Sequence, residues 1–331
     1  MNAFKIELNT GLFATYVGLT VSGYDLADKN DKDIAELYNS IMDIDWPQNV
    51  VDYFAYARTN INEVNPYWPR SSILSSACFF ISTKDASRYD TFDDFIQFQR
   101  SIGNVSQEEF DDEVINWLKE LPSFIDSIMR NNAFDELWNN YQRIISIRTQ
   151  NYIQVLEKAD KAINNFYAHS QLIPPNIVFS PNLLQSPYIA DFVTRRNTII
   201  IIKTSPDVLS ILHEFIHSVI KPLRDCFKVY IREYDFELMA DITKMLFYGY
   251  MWNESEESMI NALEESFVRG LSIAMIAQLP NLGQVADYIR SEVDTGFKLV
   301  PVIAQFAKHH MPDSNNVSDF ISGVLDHHVR K

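Results

Sequence analysis

Cysteine is nearly absent from this chain. Cys78 and Cys226 are the two in 331 residues. Two cysteines make at most one disulfide, which excludes a small stapled scaffold, and neither sits in a CxxC or other thiolate metal spacing. Basic residues are also scarce. Lys and Arg number 28 against 44 Asp and Glu, giving a formal net charge of −16 and a pI near 4.8. Binding to phosphate backbones needs clustered cations, so no nucleic-acid partner is expected. The acidity fits plain solubility, and a preference for cationic substrates is the other reading. No apolar run reaches 18 residues, so no membrane-spanning helix is expected. Internal repeats and low-complexity tracts are missing too. The mildly apolar "LFATYVGLTVSG" (12–23) has the look of a signal core, but Glu7 stands where such a segment needs positive charge. A cytoplasmic protein is expected, with a secreted or periplasmic one as the alternative.

Hydrophobic residues make up 47% of the chain and charged ones 22%, an ordinary globular balance. "FKIEL" (4–8) alternates like a strand. "DIAELYNSIMDI" (33–44) and "WPQNVVDYFAYAR" (46–58) have helical spacing, and "ILSSACFFIS" (73–82) fits either a strand or a buried helix. "SQEEFDDEVINWLKEL" opens with a capping-box pair, Ser106 and Glu109, and an interruption is expected at Pro122. Residues 134–167 keep helical spacing without Gly or Pro. The texture then changes. "YIADFVT" (188–194) and "TIIIIKTS" (198–205) read as a hairpin, since four β-branched isoleucines favour a strand. Ser205, Pro206 and Asp207 suit the N-cap, N1 and first turn of a helix that Pro222 ends. A connector is expected over 221–231, helices over 233–252 and 254–279, and mostly helix to the end. The expected fold is α+β, mostly α-helical with a small antiparallel sheet. A mainly helical region (1–170) precedes a catalytic region (171–331), unless the two form one two-lobed domain.

That helix carries "HEFIH". His213 and His217 are four apart, so their imidazoles share one helical face and can reach a common cation at about 2 Å. Glu214, about 100° round the axis, stands beside such an ion and can take a proton from water there. Zinc needs a third protein ligand and one open position. Glu237 lies 20 positions beyond His217, followed by Asp241 one turn later. Asp241 is suited to accept a ligand histidine's second N–H. Glu233 is an alternative third ligand, and Glu233, Glu237 and Asp241 together also read as a solvated acidic row. An oxyanion-stabilising group is needed as well. Tyr230, Tyr234 and Tyr248 are nearest in sequence, and His309 or His310 could reach the site from further away. His327 and His328 read as ordinary surface or core residues.

"HEFIH" (213–217) followed after 19 residues by "ELMAD" (237–241) resembles the gluzincin clan of zinc metallopeptidases, the thermolysin-like group. The likeness covers about residues 188–250. It implies one zinc per chain on His213, His217 and Glu237, with Glu214 as general base and proton shuttle and Asp241 orienting His213. It also implies hydrolysis of peptide bonds in a peptide or protein substrate. The chain departs from that pattern in having Phe236, where the thermolysin-like enzymes carry Asn, which leaves His217 without an assigned partner. No G-x-M-E-N stretch is present, so the aminopeptidase branch is not indicated, and "SVIKPL" after the second histidine excludes the metzincins. "TIIIIKTS" is the expected sheet edge along which an extended peptide would pair. A non-catalytic binding protein on the same scaffold is the other function in view, and hydrolysis of a non-peptide amide is a third.

Overall fold

The computed structural model describes residues 4–60, 74, 77–79, 112–168, 174–195, 197–233, 239–247, 255–279, 285–313 and 315–328. The chain forms two compact units, each assembled from separated stretches of sequence. One comprises residues 5–152 and 177–206 and holds the sheet. The other comprises 1–4, 153–176 and 207–331 and is helical over its described residues. The hairpin segment is therefore grouped with the N-terminal helices and not with the C-terminal ones. The physical reason is strand β1 (Lys5–Ile6), which pairs parallel with β2 (Asn176–Pro181) in the register Lys5 with Val178 and Ile6 with Phe179.

In the sheet unit, α1 (Thr10–Val21) takes up the stretch that resembled a signal core. Its N–H groups are capped by Asn9, which accepts from Leu12, and residues 11–20 are all buried. Phe13 packs on Phe134, Trp138 and Tyr141. Helices α2 (Lys32–Met42) and α3 (Gln48–Asn60) follow, and residues 74 and 77–79 are helical. Ser106 and Glu109 lie outside the described residues. Helix α4 (Asp112–Met129) runs straight through Pro122, where a break was expected. A proline inside a helix costs about 3 kcal/mol. Leu118, Leu121, Ile125 and Ile128 are buried at helical spacing on either side of it, and each contributes about 1.5–3 kcal/mol, so packing wins. Helix α5 (Phe134–Phe166) is the long uninterrupted one. It belongs to the sheet unit as far as Tyr152 and to the helical unit from Ile153.

The sheet has the order β1-β2-β4-β3, with β3 spanning Asp191–Arg195 and β4 Thr198–Lys203. Strands β3 and β4 form the expected hairpin, Asp191 opposite Ile202 and Arg195 opposite Thr198. The parallel β1–β2 pair makes the sheet mixed, not antiparallel throughout. Strand β4 lies between β2 and β3 with Ile199–Ile202 buried, so "TIIIIKTS" is an interior strand and offers no free edge for a peptide. Its exit is pinned. Asn182 N–H donates to the Lys203 carbonyl, Thr204 Oγ1 to the Gln185 carbonyl, and Tyr152 Oη to the Thr204 carbonyl.

The chain then enters α6 (Val208–Ile220). Its N-cap is Asp207, two residues later than expected, because the Asp207 carboxylate accepts from both Ser210 N–H (2.8 Å) and Ser210 Oγ (2.7 Å). The carboxylate thereby satisfies one orphan donor and sits at the positive helix end. Pro222 closes α6 into a single 3₁₀ turn (Lys221–Leu223), and the expected connector is instead α7 (Arg224–Glu233). The later elements are α8 (Ile242–Phe247), α9 (Glu256–Ala277), α10 (Val285–Thr295), α11 (Val300–His309) and α12 (Val317–His328). Helix α9 is the axis of this unit and packs along both α6 and α11. At Gly296 φ is +113°, and a Cβ there would lie 2.6 Å from the Asp241 carbonyl, so only glycine makes this turn.

Gly270 sets the spacing of α9 from α11. A Cβ at this position would stand 2.5 Å from Ile303 Cγ2 and 2.6 Å from Ile303 Cβ. Alanine would favour the helix by about 1 kcal/mol, while overpacking a filled core costs about 1–3 kcal/mol. The second term wins here because the stem of a buried β-branched residue cannot swing aside. Gly270→Ala is expected to lower stability by about 1 kcal/mol in denaturant unfolding, and a gain in stability would contradict this packing.

Candidate metal centre

Helix α6 forms because apolar residues recur on almost every side of it. Ile211, Leu212, Phe215 and Ile216 are fully buried. Phe215 meets the edges of Phe166 and Tyr167 from the end of α5. Between these residues His213 and His217 share one face, as their spacing predicts. Their Nε2 atoms are 3.2 Å apart and the rings cross at 78°. The side chains are 20% and 19% exposed, enough for solvent to reach them.

Opposite them stands α9. Ser255 caps its start by accepting from Ser258 N–H. Glu265 points its carboxylate at the histidine pair, with Oε1 3.3 Å from His213 Nε2 and Oε2 3.2 Å from His217 Nε2. His213, His217 and Glu265 thus bring three donor atoms within 4.8 Å of one another, a group that could hold a metal ion. Its neighbour Glu264 sits 3.6 Å from His217 Nδ1, an ion-pair distance and not a hydrogen bond. Arg269, one turn on, grips Glu265 Oε1 through Nε (2.8 Å) and Nη2 (2.7 Å). Its Nη1 reaches Glu292 of α10 at 2.6 Å, and its guanidinium lies over the Phe297 ring.

These neighbours pull the two histidines apart in basicity. Burial pushes His213 down to about 3, only partly opposed by Glu265. Burial alone would lower His217 too, but Glu264, Glu265 and the charge of Glu214 outweigh it and raise it to about 10. Burial would also raise Glu265; Arg269 and the two histidines hold it well below the usual carboxylate range. In the metal-free state the pair therefore keeps one proton, on His217, beside the ionised Glu265.

The other residues singled out from sequence lie as follows. Glu214 is buried, 7% exposed, on the same helix. Glu237 and Tyr234 lie outside the described residues, as does Tyr248. The backbone of Glu233 ends α7. Asp241 precedes α8 and caps it, its Oδ1 accepting from Lys244 N–H at 3.2 Å, while its own N–H donates to the Gly296 carbonyl. The carboxylate that faces His213 is that of Glu265. Tyr230 Oη bonds to Ser322 Oγ of α12 at 2.7 Å. His309 ends α11 and His310 caps it. Both are exposed and line a shallow groove with Pro301, Val302, Gln305 and Phe306. His327 and His328 close α12. Sequence reasoning missed Glu265 because it lies 48 positions beyond His217. The available signal was "ALEESFVRG" (262–270), two carboxylates inside an otherwise apolar helix, with an arginine one turn after the second. Among the described residues no helix is long and apolar enough to cross a membrane.

No protein-family model matches this chain, and no curated protein or solved structure matches it significantly.

A metal ion must displace the His217 proton, whereas His213 is already neutral at pH 7. Uptake of a divalent ion should release about one proton per chain, and affinity should rise about tenfold per pH unit from pH 6 to 9, below the raised His217 value. Competition titrations across that range measure this. A dissociation constant independent of pH would contradict it.

Proposed function

We propose that the protein is a zinc-dependent hydrolase of peptide bonds, with His213, His217 and Glu265 as the zinc ligands. One observation carries the reading. The two imidazole Nε2 atoms are 3.2 Å apart, the Glu265 carboxylate sets one oxygen 3.3 Å from His213 and the other 3.2 Å from His217, and one donor atom from each residue lies within 4.8 Å of the others. A tetrahedral ion with ligands at about 2.0–2.1 Å sets its donors about 3.3–3.4 Å apart. Two imidazoles and one carboxylate are also the donor set of zinc sites that keep a position open for catalysis, and the partial exposure of both histidines is consistent with such a position. In this assignment Glu265 takes the place that the thermolysin-like spacing gave to Glu237.

When bound, zinc supplies a Lewis acid that polarises a carbonyl oxygen and lowers the pKa of a water. The protein's own groups do the rest. His213 and His217, fixed one turn apart on a buried helix, hold the site rigid. Glu264 stands 3.6 Å from Nδ1 of His217, and its charge raises the basicity of that ring. Glu214 follows His213 directly, and its charge bears on His217. It is the carboxylate suited to take a proton from the attacking water and pass it to the leaving amine. Arg269 keeps Glu265 ionised.

A second reading, a binding protein without turnover, is supported by a specific feature. The charges close on themselves without an ion, His217 against Glu264 and Glu265, and Arg269 between Glu265 and Glu292. Such a network can serve as a structural brace.

Zinc content and activity separate the two. The purified, reconstituted protein should hold about one zinc per chain, removable by chelators. Glu214→Gln should keep its zinc and lose peptide hydrolysis by about 10²–10⁴-fold. Glu265→Ala should weaken zinc binding by at least about 10²-fold, while Glu237→Ala should leave it within about threefold. Undiminished turnover in Glu214→Gln would refute the role given to that residue, and a chain that takes up no zinc would favour the binding protein.

A further inference from the structure

Resting on the metal-site reading above, we infer that Arg269 is a positioning residue that limits Glu265 to a single donor oxygen. The two carboxylate oxygens of Glu265 have different surroundings. Oε1 accepts the Arg269 Nε–H at 2.8 Å and pairs with Nη2 at 2.7 Å, and it stands 3.3 Å from His213 Nε2. Oε2 faces His217 Nε2 at 3.2 Å. The guanidinium, through one charge-assisted hydrogen bond and one close ion pair, competes for the lone pairs that Oε1 would otherwise give to an ion. Oε2 is left as the donor. A free carboxylate beside a divalent ion can swing into two-oxygen chelation and fill the position that a catalytic site must leave open.

The arginine is itself held on its other sides. Its Nη1 bonds Glu292 of α10 at 2.6 Å, and Phe297 lies beneath the guanidinium at 4.3 Å. Both grips come from outside α9. The i, i+4 spacing within α9 aims the guanidinium at Glu265, while α10 and Phe297 keep it from following the carboxylate if that moves. A lysine at 269 would keep the charge and lose the two-point fork. The mount is therefore specific to arginine and not to positive charge alone.

Cobalt(II) is the probe, because its visible absorption is strong in four-coordinate sites and weak when coordination rises. The wild-type cobalt complex should absorb strongly. Arg269→Ala, with cobalt bound at one per chain, should absorb roughly threefold or more weakly, as Oε1 joins the ion. Arg269→Lys should recover part of the loss. Glu292→Gln, which loosens the arginine without touching Glu265, should shift the spectrum the same way by less, and it serves as the test if Arg269→Ala fails to fold. A fully loaded Arg269→Ala with the wild-type spectrum, or an unaltered Glu292→Gln spectrum where Arg269→Ala does not fold, would overturn the inference. A wild-type chain that binds no cobalt or zinc would overturn the metal-site reading beneath it, and that failure is visible before any variant is made.

Discussion

The helical unit depends on the contact between α6 and α9, where a histidine pair and two carboxylates are largely withdrawn from water. Taking an ionised group out of water costs several kcal/mol even after relaxation. That cost is tolerable only if each charge finds its partner. Ile211, Leu212, Phe215 and Ile216 bury the remaining faces of α6, at about 1.5–3 kcal/mol each, Phe215 against Phe166 and Tyr167. They do not specify the register, because one apolar residue replaces another at little cost. The polar groups do. Sliding α9 by one residue past α6 would bring Glu264 or Ser266 to the histidines and leave Arg269 without its acceptor. The contact is thus indexed by its charges.

Much of this was legible from residues alone, and the failures have physical causes. The long helix of residues 134–166 and the isoleucine hairpin follow from local pattern, and both formed. His213, Glu214 and His217 follow from i, i+4 geometry within one helix. Glu265 does not, because nothing local relates it to His217; its place is set by how α9 packs. "ELMAD" offers a partner at the family spacing, and its Glu237 lies outside the described residues. The described chain nevertheless breaks from helix at Ala240 and Asp241, where Gly296 approaches closely enough to accept the Asp241 N–H. Pro122 and strand β1 teach the same lesson. Buried leucines and isoleucines carried a helix through a proline, and strand β1, expected within 4–8, took a partner that nothing local announced, β2 about 170 residues on.

The entry into α6 shows how competing local signals are resolved. Ser205, Pro206 and Asp207 each have a preference for a helix start, and they cannot all occupy the cap. Asp207 prevails because both of its oxygens are used, one by a backbone N–H and one by the Ser210 hydroxyl. A serine at 205 offers a single oxygen. His213 is reached little more than one turn after this cap.

Charge balance links the metal-free and metal-bound states. Glu264 and Glu265 with Arg269 leave one formal negative charge around the imidazoles, and the proton on His217 cancels it. Exchanging that proton for a divalent ion leaves one positive charge in a largely buried place. The carboxylate suited to answer it is Glu214, on the same helix and 7% exposed. A nearby positive charge favours the ionised carboxylate, and a general base must be ionised to act. Burial, which by itself disfavours a charged Glu214, is then opposed by the ion that the base serves. The same low-dielectric surroundings that would make an isolated carboxylate costly strengthen its attraction to the ion. In the proposed hydrolase, loading the site and ionising Glu214 would in this way be one electrostatic event.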